Sequence, residues 1–589
     1  MTIDFKWGLR IPLRDGTQLH AALYRSRAAT GPAACLFTRT PYTIDRVHPR
    51  ALYLAKQGFP VLVVDVRGRG DSQGEFRPFI QEAQDGFDVA EWLARQSFCN
   101  GQVAMFGSSY GGYDQWATAK EFPPHLVSIA PAVAAAPGIE GEPMRSNVFC
   151  SYVTRWLTEI TGHTQQQRLF DDREFWRDQF RAWYESGRPF KELDRMIGNP
   201  LPAFQEWLTH PMQGAYWDAY RPTPEQYARL DLPILTITGC YDSAQLGALH
   251  YYREHLRHAP PEALAKHFLI IGPWDHFVAA PKAEFGGLKF GPASLLDVMK
   301  LHVEWYDWTL RDGSKPAFLQ KNVAYYVMGA EKWRYADTLE AVTARYELFY
   351  LDSSGAASQL ASHGALTPTR GTGPADAYLY DPRDLSIAEV ESQFEYPQQS
   401  APQYALLNPT FPSDSLVEQT QVYANEGKVL VYHSQPFSQD TELSGFFKLT
   451  AWIAIDQPDT DFIVSVHELT REGRSILLTA DFQRARHRES LCEESLIGTT
   501  EPLRYEFNHF TFVSRQLQQG SRLRLVIGPV NSIYYQKNYN SGKPVAEESI
   551  EDARPVRVRL FHDESHPSAL QVPFGQPEDK MSSDATEVH

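Results

Sequence analysis

The segment Val103-Ala-Met-Phe-Gly-Ser-Ser-Tyr-Gly-Gly112 joins a short apolar run to a G-x-S-x-G motif, and a small-residue stretch that favours a helix follows it. The apolar run is typical of a strand that is buried on both faces. Glycines two positions before and after Ser109 would let the chain turn sharply from strand into helix, which exposes the serine hydroxyl at the edge of the sheet. The segment therefore predicts a strand–turn–helix unit with Ser109 as a candidate nucleophile.

Further apolar runs of the same kind occur before and after this segment. They are found at 34–38, 61–65, 126–130, 234–238 and 268–271. Helix-like segments separate them, such as 80–96, where apolar residues recur at helical spacing. Strands and helices in alternation predict a parallel sheet covered by helices on both faces, which is the α/β class.

The alternation is interrupted between residues 143 and 224. This segment has no strand-like run, but it contains five tryptophans, Trp156, Trp176, Trp183, Trp207 and Trp217. Aromatic residues at helical spacing favour packing in a core over direct contact with a ligand. We predict a helical cap here, which would lie over the carboxyl ends of the strands because it is inserted between two of them.

The pattern changes after the break Asp-Gly-Ser-Lys-Pro at 312–316. Apolar and polar residues alternate from here on, as in 447–453, 522–527 and 556–560. Strands with this period bury one face and expose the other, and several of them favour an antiparallel sandwich. We predict a first domain made of 1–142 and 225–312, the cap at 143–224, a β-sandwich at 317–575 and a flexible tail at 576–589.

Composition and charge exclude several classes of protein. The chain has 589 residues, and its 56 basic and 72 acidic residues give a formal charge of −16 that repels nucleic acids and anionic membranes. It holds neither a run of about 18 apolar residues that could span a bilayer nor an N-terminal apolar segment typical of a signal peptide. The five cysteines are dispersed, which argues for a reducing compartment and against a zinc site. We expect a cytoplasmic protein.

Partners for the serine come from two later strand ends. A serine hydroxyl needs a base and an orienting acid, which arrive in the order Ser, Asp or Glu, His in α/β-hydrolases. Asp242 and His276 each follow the end of a predicted strand, in that order. We expect Asp242 to fix the tautomer of His276, and His276 to accept the proton of Ser109. Asp275 competes for the acid role but is less favoured, because a residue adjacent to the base usually points elsewhere.

An oxyanion hole requires two hydrogen-bond donors near the serine. The backbone N–H of Tyr110, the residue after the nucleophile, is one candidate. The second should come from the loop after an early strand, but the segment Leu36-Phe-Thr-Arg-Thr-Pro-Tyr42 lacks the glycine run that lipases use there. A tyrosine hydroxyl can donate instead, which makes Tyr42 the second candidate.

The motifs taken together resemble a known family. In chain order they are Thr40-Pro-Tyr42, Val64-Asp-Val-Arg-Gly-Arg-Gly-Asp-Ser72, Gly107-Ser-Ser-Tyr-Gly-Gly112, Tyr241-Asp242 and Gly272-Pro-Trp-Asp-His276. This set resembles the cocaine esterase and X-Pro dipeptidyl-peptidase family of serine hydrolases. The resemblance implies an α/β-hydrolase core with an inserted helical cap and a C-terminal all-β jelly-roll sandwich.

The resemblance also implies roles for individual residues. Ser109, Asp242 and His276 correspond to the catalytic triad of the family, and the Tyr42 hydroxyl with the Tyr110 N–H corresponds to its oxyanion hole. The loop 67–71 corresponds to a structural element of the family. No metal or organic cofactor is implied.

Departures from the family pattern narrow the expected activity. The α-amino-acid ester hydrolases of the family place carboxylates two and three residues after the triad aspartate, where this chain has Ala244 and Gln245. The X-Pro dipeptidyl peptidases carry an additional N-terminal helical domain, whereas this chain begins with the catalytic fold. The layout is therefore closest to cocaine-esterase-like hydrolysis of esters.

We expect a serine hydrolase that cleaves an ester of a small molecule through an acyl-enzyme. Cleavage of an amide is the less favoured interpretation. The alternative is a peptidase or acylase that acts on a peptide or natural-product precursor, and a non-catalytic binding protein is the least favoured interpretation. We expect a small-molecule or short-peptide substrate and no nucleic-acid or membrane partner. A homodimer is one assembly state compatible with the sequence.

Overall fold

The computed structural model describes residues 2–139, 143–359, 362–392 and 425–576. These residues form two large sheets, one of ten strands and one of 13, together with the helices that pack on them. The predicted fold class, an α/β-hydrolase core with a helical cap and a C-terminal β domain, is confirmed. The predicted tail at 576–589 lies outside the described residues except for Gln576.

The first part of the core supplies six strands and three helices. The strands are β1 (Ile3–Pro12), β2 (Gln18–Ser26), β3 (Ala33–Thr40), β4 (Val61–Asp65), β5 (Cys99–Ser108) and β6 (Leu126–Ala132). The helices are α1 (Ile44–Lys56), α2 (Glu82–Ala94) and α3 (Tyr110–Ala119). The strands β3 to β6 include the apolar runs predicted as strands, and every residue of β4 is buried.

The inserted segment is helical apart from one short hairpin, β7 (Met144–Arg145) with β8 (Val148–Phe149). Its helices are α4 (Tyr152–Glu159), α5 (Gln167–Asp171), α6 (Arg173–Ser186), α7 (Leu193–Met196), α8 (Pro202–Leu208), α9 (Ala215–Asp218) and α10 (Pro224–Arg229). All five of its tryptophans are buried and belong to one hydrophobic cluster with Tyr110 and Tyr113 of α3. The aromatic side chains therefore join the cap to the helix that follows Ser109.

The chain then returns to the core. The elements are β9 (Ile234–Gly239), α11 (Gln245–His258), α12 (Pro261–Leu264), β10 (His267–Gly272), the hairpin β11 (Glu284–Phe285) and β12 (Leu288–Lys289), α13 (Val298–Leu310), β13 (Val323–Val327) and β14 (Lys332–Ala336). The strand order of the ten-stranded sheet is β1-β2-β4-β3-β5-β6-β9-β10-β13-β14. From β4 to β13 all neighbours are parallel, so β3, β5, β9 and β10 end at the same edge.

The first sheet extends beyond the boundary predicted at 312–317. Strand β13 pairs in parallel with β10, and β14 pairs with β13. All five residues of β13, Val-Ala-Tyr-Tyr-Val, are buried, so this strand is of the continuous apolar kind rather than the alternating kind. Two strands that follow the predicted boundary, β13 and β14, therefore extend the sheet of the core.

The C-terminal domain is a network of 13 strands with one described helix, α14 (Ser386–Ser392). The strands are β15 (Arg345–Asp352), β16 (Gly364–Thr367), β17 (Asp376–Tyr380), β18 (Leu430–Ser434), β19 (Thr441–Gly445), β20 (Lys448–Ile455), β21 (Asp461–Leu469), β22 (Ser475–Arg484), β23 (Leu503–Phe507), β24 (Val513–Leu517), β25 (Arg522–Pro529), β26 (Val556–Phe561) and β27 (Ala569–Phe574). Burial alternates along most of β20 and β26, as the sequence predicts. None of the described helices is both long and apolar enough to cross a bilayer.

Candidate active site

Ser109 occupies the sharp turn between β5 and α3. Its backbone has φ 61° and ψ −119°, a left-handed conformation that costs free energy in a residue with a side chain. A Cβ atom at Gly107 would lie 2.7 Å from the carbonyl oxygen of Gly111, and one at Gly112 would lie 2.7 Å from that of Ala132. A Cβ at Gly111 would meet nothing nearer than 3.7 Å. The turn therefore requires glycine at 107 and 112, whereas the motif pointed to 107 and 111.

His276 and Asp242 are joined by a hydrogen bond of 2.7 Å between Nδ1 and Oδ1. Asp242 is fully buried, and it also accepts from the Thr238 hydroxyl at 2.6 Å and from the Ala244 N–H at 2.9 Å. Because the carboxylate is an acceptor, Nδ1 carries the proton of the neutral imidazole and Nε2 carries the lone pair. This is the tautomer that a general base beside a serine needs.

Asp275, the competing candidate for the acid role, has a different partner. Its carboxylate accepts from the backbone N–H of Phe277 at 2.7 Å, which closes a local turn. In the described part of the chain it makes no hydrogen bond to His276. The structure therefore brings Asp242, and not Asp275, to the histidine.

Tyr42 lies beside Ser109 and His276 on the wall of one cavity. The indole Nε1–H of Trp156 donates to the Tyr42 hydroxyl at 3.0 Å. Since an indole is a donor only, the tyrosine oxygen is the acceptor in this bond, and the bond does not use the proton of its O–H group. Sequence reasoning counted Trp156 among the packing residues of the cap, and no local pattern signals this contact.

The loop that carries Tyr42 is held by the segment Arg-Gly-Arg-Gly-Asp-Ser. The buried Arg69 donates through Nε to the carbonyl oxygen of Pro41 at 2.7 Å. Asp65, at the end of β4, accepts from the N–H of Ile44 at 3.0 Å. These bonds flank Tyr42 on both sides and restrict its backbone, which agrees with a structural role for this segment.

Tyr110 is the first residue of α3, so its N–H has no partner inside the helix. Its side chain is buried, donates to the carboxyl group of Glu82 and accepts from the N–H of Phe79 at 2.9 Å. Burial raises the pKa of Glu82 to about 7, although the Arg39 guanidinium opposes the shift. The ring of Tyr110 is thus committed to the core, and its backbone N–H is the group that remains as a candidate oxyanion donor.

The cavity at this edge has a volume of about 260 Å³. Ser109, His276 and Tyr42 share it with three arginines, Arg39, Arg46 and Arg50. The remaining wall is mostly apolar and includes Val47, Phe106, Tyr152, Trp156, Phe170 and Phe277. A site of this size suits a small molecule rather than a folded protein.

Gln245 is committed to the interface between the core and the C-terminal domain. Its amide nitrogen donates to the carbonyl oxygens of Gly239 at 3.0 Å and Phe512 at 3.1 Å, and its amide oxygen accepts from the Phe512 N–H at 2.6 Å. The side chain is fully buried and ties α11 to the C-terminal domain. It is therefore not positioned to bind a substrate ammonium group.

A further feature of the described residues is whether their side chains form clusters that could bind a metal ion. Among the described residues, no group of three or more histidine, cysteine, aspartate or glutamate side chains is arranged to hold a metal ion.

Two family models match most of the chain. Residues 15–278 match the X-Pro dipeptidyl-peptidase (S15 family) model, and residues 318–571 match the model of the X-Pro dipeptidyl-peptidase C-terminal non-catalytic domain. The cocaine esterase of Rhodococcus sp. (strain MB1 Bresler) is 26% identical over 588 residues, which covers 96% of this chain and 97% of the relative. The similarity thus extends over all the segments that form the site.

Solved structures agree on the fold. An α-amino acid ester hydrolase superposes with a TM-score of 0.80 at 18% identity and covers 97% of this chain and 96% of its own. An aminopeptidase from the marine sediment archaeon Thaumarchaeota archaeon also has a TM-score of 0.80 at 18% identity, over 98% of this chain and 96% of its own. With a strained serine turn, an Asp–His pair and both matching domains in the family's order, the chain belongs to the cocaine esterase and X-Pro dipeptidyl-peptidase family of serine hydrolases.

Proposed function

We propose that this serine hydrolase cleaves a small-molecule ester through an acyl-enzyme on Ser109. The observation that carries the proposal is the convergence of Ser109, His276 and Tyr42 on one cavity, with Asp242 bonded to Nδ1 of the histidine. Each of these residues follows a strand that ends at the same edge of the sheet. Such a site needs no cofactor to activate a serine.

The reaction follows from the positions of these groups. His276 Nε2 would take the proton of the Ser109 hydroxyl as its oxygen attacks the ester carbonyl. The Tyr42 hydroxyl and the Tyr110 N–H would donate to the oxyanion that forms. Collapse would expel the alcohol, protonated by His276, and a water activated by the same imidazole would release the acid.

An ester of a small acid or alcohol fits this site better than a substrate with a free α-amino group. The positions that would carry ammonium-binding carboxylates hold Ala244 and the buried, fully engaged Gln245. A relative that aligns along nearly all of this chain is a cocaine esterase. A peptidase or acylase acting on a short peptide is the second candidate, because the model matching residues 15–278 is that of X-Pro dipeptidyl peptidases.

A paired substrate panel separates the two candidates. We expect 4-nitrophenyl esters of short acids to be hydrolysed with a kcat/KM at least about 100-fold above that for X-Pro and aminoacyl 4-nitroanilides, because an amide has the poorer leaving group and this site lacks an ammonium anchor. The Ser109→Ala protein is the control for background hydrolysis. A higher kcat/KM for the X-Pro anilide than for every ester would reverse the order of the two proposals.

Loss of the Tyr42 hydroxyl should affect turnover more than binding. Tyr42→Phe is expected to lower kcat for 4-nitrophenyl acetate by about 10²–10³-fold, because an oxyanion donor acts mainly in the transition state. Tyr152→Phe, which removes a hydroxyl from another wall of the same cavity, is the matched control and should change kcat by less than about threefold. The measurement is kcat from steady-state kinetics of both variants. A decrease in kcat of less than threefold in Tyr42→Phe would exclude the proposed role of its hydroxyl.

We further propose that the enzyme works in the cytoplasm. All five cysteines are free thiols, four of them buried, which suits a reducing compartment. A small molecule or short peptide as substrate, the absence of nucleic-acid and membrane partners, and a homodimer as one compatible assembly remain predictions from the sequence.

A further inference from the structure

Arg50 lies on the wall of the catalytic cavity, next to the serine turn. Its guanidinium NH1 donates to the hydroxyl of Ser108 at 3.2 Å, and Ser108 directly precedes Ser109. The Cα atoms of adjacent residues are about 3.8 Å apart, and each serine oxygen lies about 2.4 Å from its own Cα, so the guanidinium is at most about 12 Å from the reacting serine oxygen. The side chain is partly exposed, and it faces the cavity.

The other two arginines of the cavity wall have carboxylate partners. Arg39 pairs with the buried Asp114 at 2.6 Å, and Arg46 pairs with Glu159 at 2.9 Å. Within the described ranges, no aspartate or glutamate lies within 4.0 Å of the Arg50 guanidinium. The cavity therefore contains one positive charge that no protein carboxylate neutralises in this part of the chain.

The surroundings of Arg50 destabilise its positive charge. Burial lowers the pKa of its guanidinium, and Tyr306 and His302 of α13 are its neighbours. Tyr306 donates its hydroxyl to the carbonyl oxygen of Met105 at 2.6 Å, and burial followed by the nearby Arg50 lowers the pKa of His302 to about 4, so both are neutral at pH 7. An arginine stays protonated in such a place, and a partly desolvated cation gains free energy when an anion joins it.

We propose that Arg50 binds a carboxylate of the substrate, so that the enzyme acts on esters that carry a negative charge near the scissile bond. The inference rests on the proposed function, because Ser109 must be the reacting group. A guanidinium can hold a carboxylate through two parallel hydrogen bonds, which fixes the orientation of the substrate as well as its affinity. The upper limit on the distance to Ser109 leaves room for a short aliphatic chain or one aromatic ring between the carboxylate and the ester.

Two matched substrate pairs test this inference, one for each side of the ester. The acyl side is tested with mono-4-nitrophenyl adipate and its methyl ester, and the leaving-group side with 4-acetoxybenzoate and its methyl ester. Phenol release is measured at low ionic strength, where charge effects are largest. We expect the anionic member of at least one pair to have a kcat/KM at least about tenfold higher than that of its methyl ester.

The variants then assign the preference to Arg50. Arg50→Met should lower kcat/KM for the preferred anionic ester by about tenfold or more and change that for its methyl ester by less than about threefold. Arg50→Lys should retain part of the preference, because it keeps the charge but not the planar donor pair. Arg257→Met removes one exposed positive charge on α11, and this control should leave the ratio unchanged.

Binding without turnover provides an independent measurement. Calorimetric titration of 4-acetoxybenzoate and adipate into Ser109→Ala protein should give a Kd for one of them that rises about tenfold or more when Arg50→Met is added. Equal losses for both members of a pair would make Arg50 a structural residue and overturn the inference. Hydrolysis of the methyl esters without any preference or anion binding would also overturn it but leave the proposed function intact. Anion binding without turnover of any ester would contradict the proposed function instead.

Discussion

Ser109→Ala is expected to lower kcat for ester hydrolysis by about 10⁴-fold or more, which is the largest effect of any substitution considered for this enzyme. The substitution removes the attacking oxygen itself, so no acyl-enzyme can form. The activity that remains would come from the oxyanion donors and substrate binding alone. The measurement is the steady-state rate with 4-nitrophenyl acetate, corrected for the uncatalysed reaction.

A neighbouring serine provides the control for this substitution. Ser108 lines the same cavity but precedes the turn, so Ser108→Ala should keep kcat for the neutral acetate within about threefold. Thermal unfolding of both variants should show a cooperative transition, with Ser108→Ala somewhat less stable because its hydroxyl accepts from Arg50 at 3.2 Å. Activity of Ser109→Ala within tenfold of normal would exclude it as the nucleophile.

Asp242→Asn is expected to have the second largest effect, a loss of about 10³–10⁴-fold in kcat. The carboxylate accepts from His276 Nδ1 at 2.7 Å, and an amide in its place can turn its NH₂ group to the ring and favour the wrong tautomer. With its NH₂ group toward the ring, the amide would lose the bond from the Ala244 N–H, which shares Oδ1 with His276, but its oxygen could still accept from the Thr238 hydroxyl and hold the side chain in position. The fold should therefore persist while the base is lost.

Asp275→Asn is the matched control, because it removes the same charge one residue from the histidine. Its carboxylate bonds only to the Phe277 N–H among the described residues, so we expect a change in kcat of less than about threefold. Both variants are compared by kcat at pH 7 to 8. A greater loss in Asp275→Asn than in Asp242→Asn would assign the acid role to Asp275.

The central strands of the core could be predicted because burial on both faces leaves continuous apolar runs. The hairpin β1–β2 could not, since β1 lies at the edge of the sheet and exposes Phe5 and Trp7, each by 48%. The alternating pattern also predicted that Arg524 of β25 would be exposed. The structure shows it buried, where it bonds to His433 at 2.8 Å. Such residues depend on packing between remote segments, which local periodicity does not record.

In the active site too, some features could be predicted from local sequence and others depend on contacts between remote segments. Positions just after strand ends pointed to Ser109, Asp242 and His276, because parallel strands bring their carboxyl ends to one edge. The Trp156–Tyr42 bond joins residues 114 positions apart, and the lack of a carboxylate beside Arg50 among the described residues depends on how remote segments pack. Neither feature can be predicted from a short stretch of sequence.

The central claim is that Ser109 is an activated nucleophile. The most direct test is the intact mass of the protein after incubation with a fluorophosphonate, followed by peptide mapping of the adduct. The account predicts one adduct per chain, on Ser109, and none in Ser109→Ala or after unfolding before exposure to the reagent. A folded protein that acquires no adduct, or acquires it on another residue, would contradict the claim.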